Sequence, residues 1–189
     1  MASKYDAAAL TNISGLVAVV TGGGTGLGLT IARTLEQNGA KVFITGRRKD
    51  KLDAAAALAT TPGNIVPIQG STTSHDDLQH AVDVVTKETG YIDLLVNNAG
   101  MTTFDGSPNA RPKPTPSSSV AEVRDYYFNY RSPDVWRDTL ETNVAAVFTT
   151  TMAFLELLDA GNKRRDPMAP KSQVVAIGST GGLTRFTVS

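Results

Sequence analysis

The sequence has 189 residues, room for one domain, and its 41% hydrophobic and 19% charged side chains exclude wholesale disorder. Eighteen Lys and Arg against eighteen Asp and Glu leave no basic excess for generic nucleic-acid binding. The absence of cysteine excludes disulfides, iron–sulfur clusters and thiolate zinc sites, and His75 and His80, about 140° apart on a helix, cannot share a metal ion.

The chain begins Met-Ala-Ser-Lys-Tyr-Asp, without the apolar core of a signal peptide, and its second residue is Ala2 where myristoylation needs glycine. No apolar run approaches the ~20 residues of a membrane span. A cytoplasmic protein with neither membrane nor nucleic-acid partners is expected.

Gly15 to Val20 reads as a strand buried on both faces. The glycine cluster Thr21–Gly28 follows, then a helix with Leu27, Ile31 and Leu35 on its apolar face, closing at Asn38-Gly39. Val42–Ile44 is a second strand and Asp50–Ala59 a helix. Ile65–Ile68 is a third strand, put at a sheet edge by Pro67. Leu78, Val82 and Val85 set a helix ending at Gly90, before a fourth strand over Ile92–Val96.

Residues 101–133 change character, with Pro108, Pro112, Pro114, Pro116 and Pro133 around a short helix over 120–128. A loop beside a pocket is the favoured reading over a ligand for an SH3-type module, because it interrupts a domain. Trp136, Leu140, Val144, Val147, Thr151 and Leu155 predict one helix over 134–160, about 40 Å long. Lys163-Arg-Arg165 reads as a solvated loop, and Val174–Ile177 as a fifth strand.

Strands alternating with helices predict an α/β fold, a doubly wound parallel sheet of Rossmann type with about five strands. Ligands of such sheets bind at the carboxyl ends of the strands, near the reversal of strand order. The glycines Gly22, Gly26 and Gly28 allow backbone to approach a pyrophosphate at a helix N-terminus. They also suit a plain tight turn, or a methyltransferase. The second strand ends in Thr45-Gly46-Arg47-Arg48, with no acid to hold the ribose hydroxyls of NAD and with guanidinium groups for the extra phosphate of NADP. NADP(H) is therefore expected over NAD(H).

At Asn97-Asn-Ala-Gly100 the sequence resembles the short-chain dehydrogenase/reductase family. Thr21–Gly28 resembles its Thr-Gly-x-x-x-Gly-x-Gly. Trp136–Asn143 resembles its active-site asparagine segment, and Val174–Gly182 its serine-bearing strand and turn. The resemblance spans about residues 12–183 and is nearest to 3-oxoacyl-carrier-protein-type and related carbonyl reductases; the proline-rich insert resembles fungal members. It implies an oxidoreductase moving hydride between a nicotinamide and a small-molecule carbonyl or secondary alcohol, and it allows a homo-oligomer at full length.

The resemblance also implies roles. Gly22, Thr25, Gly26, Leu27 and Gly28 would wrap the pyrophosphate, Arg47 would hold the 2′-phosphate, and Asn98 and Ala99 would approach the adenosine ribose. Asn143 would hold a relay water and Ser179 the substrate carbonyl. Ser71-Thr72 stands where the family has an acid and an aliphatic residue, so a hydroxyl there would meet the adenine amino group as a weaker acceptor, and Thr72 counts among the cofactor-binding residues. The family's Tyr-x-x-x-Lys, its proton donor and partner, has no match: the sequence after Ser179 reads Thr-Gly-Gly-Leu-Thr-Arg-Phe-Thr-Val-Ser. The expectation is a truncated form without the last strands and inactive as it stands. The alternative is a non-catalytic dinucleotide-binding or regulatory protein.

Overall fold

A strand buried on both faces must be apolar at nearly every position, and Val17–Thr21 (β1) meets this, with all its residues buried. In chain order there follow α1 (Gly26–Gln37), β2 (Lys41–Gly46), α2 (Lys49–Ala56), β3 (Ile65–Gln69), α3 (His75–Glu88) and β4 (Leu94–Asn97). After the insert come α4 (Val120–Phe128), α5 (Pro133–Leu140), a π-helical turn (Glu141–Ala145), α6 (Ala146–Ala153), α7 (Leu155–Lys163) and β5 (Gln173–Ala176). The computed structural model describes residues 13–102, 112–165 and 170–179. Pro108 and the end of the serine motif, residues 180–182, lie outside them.

The strands form one parallel sheet in the order β3-β2-β1-β4-β5. Strand alternation sorts the core into two layers. Val17 and Val19 join Val85, Leu95, Phe154 and Leu158 on one face. Ala18 and Val20 join Ala32, Val42, Ile44 and Leu52 on the other. Pro67 sits on the edge strand β3, where its missing N–H costs no ladder bond. From β1 the order runs one way through β2 and β3 and the other way to β4, so the crevice lies between the ends of β1 and β4.

The structure corrects three sequence expectations. Leu27 is not on the buried face of α1, which carries Gly28, Ala32 and Glu36; Leu27 is 59% exposed. Buried Glu36 is satisfied because its carboxylate accepts from the amides of Thr60 (3.0 Å) and Thr61 (2.7 Å).

The single long helix is instead broken. A π-helical turn interrupts it at 141–145, and it bends by 46° between Ala153 and Leu155. Phe154 at the bend is fully buried, as Leu157 and Leu158 nearly are, so α7 turns onto the sheet. The Thr151 hydroxyl donates to the carbonyl of Val147, a contact that favours bending.

The basic cluster is not solvated throughout. Arg164 and Arg165 pair with the fully buried carboxylate of Asp93 at 2.7 and 2.6 Å. The same carboxylate accepts from the amide of Val17 at 2.9 Å, so a residue just before β4 fastens the end of α7 to the start of β1. Lys163 pairs with Asp159 on the surface. Among the described residues no single helix is long and apolar enough to cross a membrane.

Candidate functional site

At the carboxyl ends of β1, β2 and β4 lies a cleft of about 620 Å³, within the usual range for cofactor sites. The turn after β1 forms its floor. Gly22 has φ +67°, and a Cβ there would stand 3.0 Å from Ala99 Cα. A Cβ on Gly28 would collide with the carbonyl of Gly22 and the side-chain nitrogen of Asn98. Only glycine lets this turn meet the end of β4 so closely. Gly22, Thr25, Leu27 and Gly28 all line the cleft. Gly26 is outside the lining; its φ of +56° shapes the turn.

Asn98 and Ala99 line the cleft as expected, and their placement depends on Thr21. The Thr21 hydroxyl accepts from both their amides at 3.0 Å and donates to the carbonyl of Val96 at 3.4 Å. The Asn98 side-chain amide donates to the carbonyl of Thr21 at 2.9 Å. These bonds fix the gap between the ends of β1 and β4. Thr21 stood in the glycine motif, yet no spacing rule revealed it as the organiser.

The end of β2 is basic. Arg47, Arg48 and Lys51 line the cleft, and none of its lining residues is a carboxylate. An anion entering there meets cations and backbone amides; of these cations Lys51 is paired with Asp50 at 3.5 Å. The Gln69 side chain donates to the carbonyl of Arg47 at 3.1 Å, fixing the turn from the edge strand. The Arg47 guanidinium has no hydrogen-bond or ion-pair partner among the described residues. Arg48 donates to the Thr25 hydroxyl at 3.2 Å. Lys51 was missed in the sequence, although it follows Arg47 by four residues.

After β3, Ser71 and Thr72 line the cleft. The amide of Ser71 donates to Asp77 at 2.8 Å, so an acid from α3 organises this turn from outside the cleft lining. Across the cleft, Asn143 is held by the π-helical turn. Its side-chain oxygen accepts from the amide of Met101 at 2.9 Å and its nitrogen donates to the carbonyl of Met101 at 2.7 Å. It is thus a two-point clamp on the segment after β4, and its neighbour Thr142 reaches the cleft. Ser179 lies beyond β5 and is not among the lining residues. The amide of Ile177 still donates to the carbonyl of Asn97 at 2.9 Å, which keeps this stretch beside β4.

The cleft therefore fits a dinucleotide: a glycine floor that side chains would fill, open first-turn amides on α1, and a cluster of cations at one end. It contains no built metal site among the described residues.

A family model described as short chain dehydrogenase matches residues 16–189. The chain is 47% identical over 195 residues to the short-chain dehydrogenase/reductase VdtF of Byssochlamys spectabilis, covering 95% of this chain and 63% of that protein. It is 44% identical to PhomF of Diaporthe leptostromiformis, covering 97% of this chain and 60% of that one. The chain thus spans about 60% of the length of these curated relatives. Among solved structures, the Pseudomonas aeruginosa RhlG/NADP active-site complex matches with a TM-score of 0.71 and 25% identity, over 94% of this chain and 59% of that one.

Proposed function

The chain belongs to the short-chain dehydrogenase family, and from that premise we propose that its cleft binds NADP(H) in preference to NAD(H) for carbonyl–alcohol oxidoreduction. The observation that carries this reading is the end of β2, where Arg47 lies unpaired among the described residues, beside Arg48 and Lys51, and no carboxylate lines the cleft. The NADP of the RhlG complex adds support.

In this proposal the amides and glycines of 22–28 take the diphosphate, and Arg47 takes the 2′-phosphate. Asn98 and Ala99 face the adenosine ribose, and a hydroxyl of the Ser71–Thr72 pair accepts from the adenine amino group. When bound, the reduced cofactor would supply hydride to a carbonyl carbon, and the proton that its oxygen then needs is assigned to no residue of 1–189. Ser179 donates a hydrogen bond to the carbonyl oxygen as negative charge grows on it. Asn143 keeps the relay-water role, and its clamp on Met101 supports a place at the edge of the site.

No Tyr-x-x-x-Lys occurs in the 189 residues. For these residues by themselves, which span about 60% of the length of the curated relatives, we propose cofactor binding without carbonyl reduction. Residues 1–189 are taken as one dinucleotide-binding domain with 101–133 as an insert, in the cytoplasm. A homo-oligomer at full length completes the proposal.

Calorimetric titration with NADPH and NADH tests the cofactor assignment. A charge-assisted bond of about 1.5–3 kcal/mol predicts NADPH tighter by about tenfold or more. Arg47→Asp should reverse the order. Equal affinities would contradict the proposal. Substrate-dependent NADPH oxidation by the pure chain would overturn the second part and demand another proton donor, with Tyr126 and Tyr130 the first to replace.

A further inference from the structure

We propose that Arg48 is a positioning residue: it draws the Thr25 hydroxyl away from the N-terminus of α1 and so leaves the amides of Leu27 and Gly28 open to the diphosphate. This rests on the dinucleotide reading above. Thr25 is the N-cap of α1, with extended backbone angles of φ −153° and ψ 167°. Threonine at that position ordinarily accepts from the second or third helical amide. Those amides belong to Leu27 and Gly28, and both residues line the cleft.

Yet the Thr25 side chain makes no capping bond. Of the three serines at helix N-caps, Ser74 and Ser119 close on the third helical amide, and Ser132 does not. For Thr25 the structure supplies a reason. Its hydroxyl is engaged by Arg48 at 3.2 Å. The Gly23 amide also donates to the carbonyl of Thr45 at 3.2 Å, so the glycine turn is tied to the end of β2 through backbone as well as side chain. The neighbouring arginines then have separate tasks. Arg47 meets the phosphate that only NADP carries, and Arg48 prepares the turn for the diphosphate that both nucleotides carry.

The test is a double-mutant cycle on the whole chain with Arg48→Ala, Thr25→Val and their combination. Titrations with NADPH and with NADH are paired with amide NMR of the nucleotide-free protein. A cap-sized competition of about 1 kcal/mol corresponds to about a fivefold weakening. Arg48→Ala should weaken both nucleotides by about that factor and leave their ratio unchanged. In the Thr25→Val background the same change should cost almost nothing, because no hydroxyl remains to compete. The Leu27 and Gly28 amide resonances should move in Arg48→Ala and stay in place when Arg48→Ala is added to Thr25→Val.

A loss confined to NADPH would overturn the proposal and make Arg48 a 2′-phosphate ligand. An equal loss with and without the Thr25 hydroxyl would also overturn it. If the wild-type chain binds neither nucleotide, the dinucleotide reading falls and takes the ligand with it. The amide shifts then decide the Arg48–Thr25 latch by themselves, and their absence overturns it as well.

Discussion

β1 and β5 are short, apolar, parallel strands of one sheet, and their surroundings are opposite. Val19 in β1 is fully buried, whereas Val174 in β5 is 44% exposed. β1 has β2 and β4 as neighbours and packed side chains on both faces; β5 pairs with β4 alone among the described strands. The helices divide the same way. Those after β1 and β2 pack Ala32, Leu52 and Ala55 into the core, while Trp136, Leu140, Val144, Phe148 and Met152 stay exposed along α5, the π-helical turn and α6. Residue type does not distinguish these regions; the supply of neighbours does. The cleft is lined mainly by residues of the enclosed region, with Thr142 reaching it from the π-helical turn.

Asp93 joins the two regions, and breaking it should have the largest effect. Asp93→Ala leaves the Val17 amide and two guanidinium groups without their buried acceptor, at a cost of about 3–5 kcal/mol. Urea unfolding should remain a single transition with a lower midpoint. A change below about 1 kcal/mol would mean that water replaces the carboxylate there.

Matched valines sharpen the comparison at the next scale. Val19→Ala should cost about 2 kcal/mol, and Val175→Ala in β5 about 0.5 kcal/mol or less. Equal costs would mean that β5 is covered in solution. Phe148→Glu should leave the urea midpoint within about 0.5 kcal/mol and reduce self-association in sedimentation. Unaltered association would exclude this face from the oligomer contact.

The smallest effect belongs to the insert. Glu122 closes a capping box with Ser119 at the start of α4, and the Ser119 amide and hydroxyl hold its pKa below the usual glutamate value. Because the folded value is depressed, the cap is complete above the ordinary glutamate pKa and is lost as pH falls through the folded one. The Ser119 amide resonance should follow that titration, and Glu122→Gln should remove it.

Much of the fold was legible because each signal was local. Apolar runs marked the strands, Pro67 marked the edge, and Asn38-Gly39 marked the end of α1, where Gly39 adopts φ +99°. The glycine motif and the basic end of β2 were legible for the same reason, since backbone clearance and charge are written in residue type. What escaped depends on partners distant in sequence. Arg164 and Arg165 look like a solvated pair until Asp93 is brought beside them. Leu27 fits a helical period but falls where α1 faces the cleft. The bend at Phe154 follows from where the sheet offers burial, which periodicity along one helix cannot report.

The central claim is that the proposed NADP site is built mainly from the enclosed region, while strand β5 takes no part in nucleotide binding. Hydrogen–deuterium exchange of the chain with and without saturating NADPH tests it most directly. The account predicts protection over Gly22–Gly28, Arg47–Leu52 and Asn98–Met101, with Gln173–Ala176 unchanged. Protection centred on Gln173–Ala176, or none at Gly22–Gly28, would contradict it.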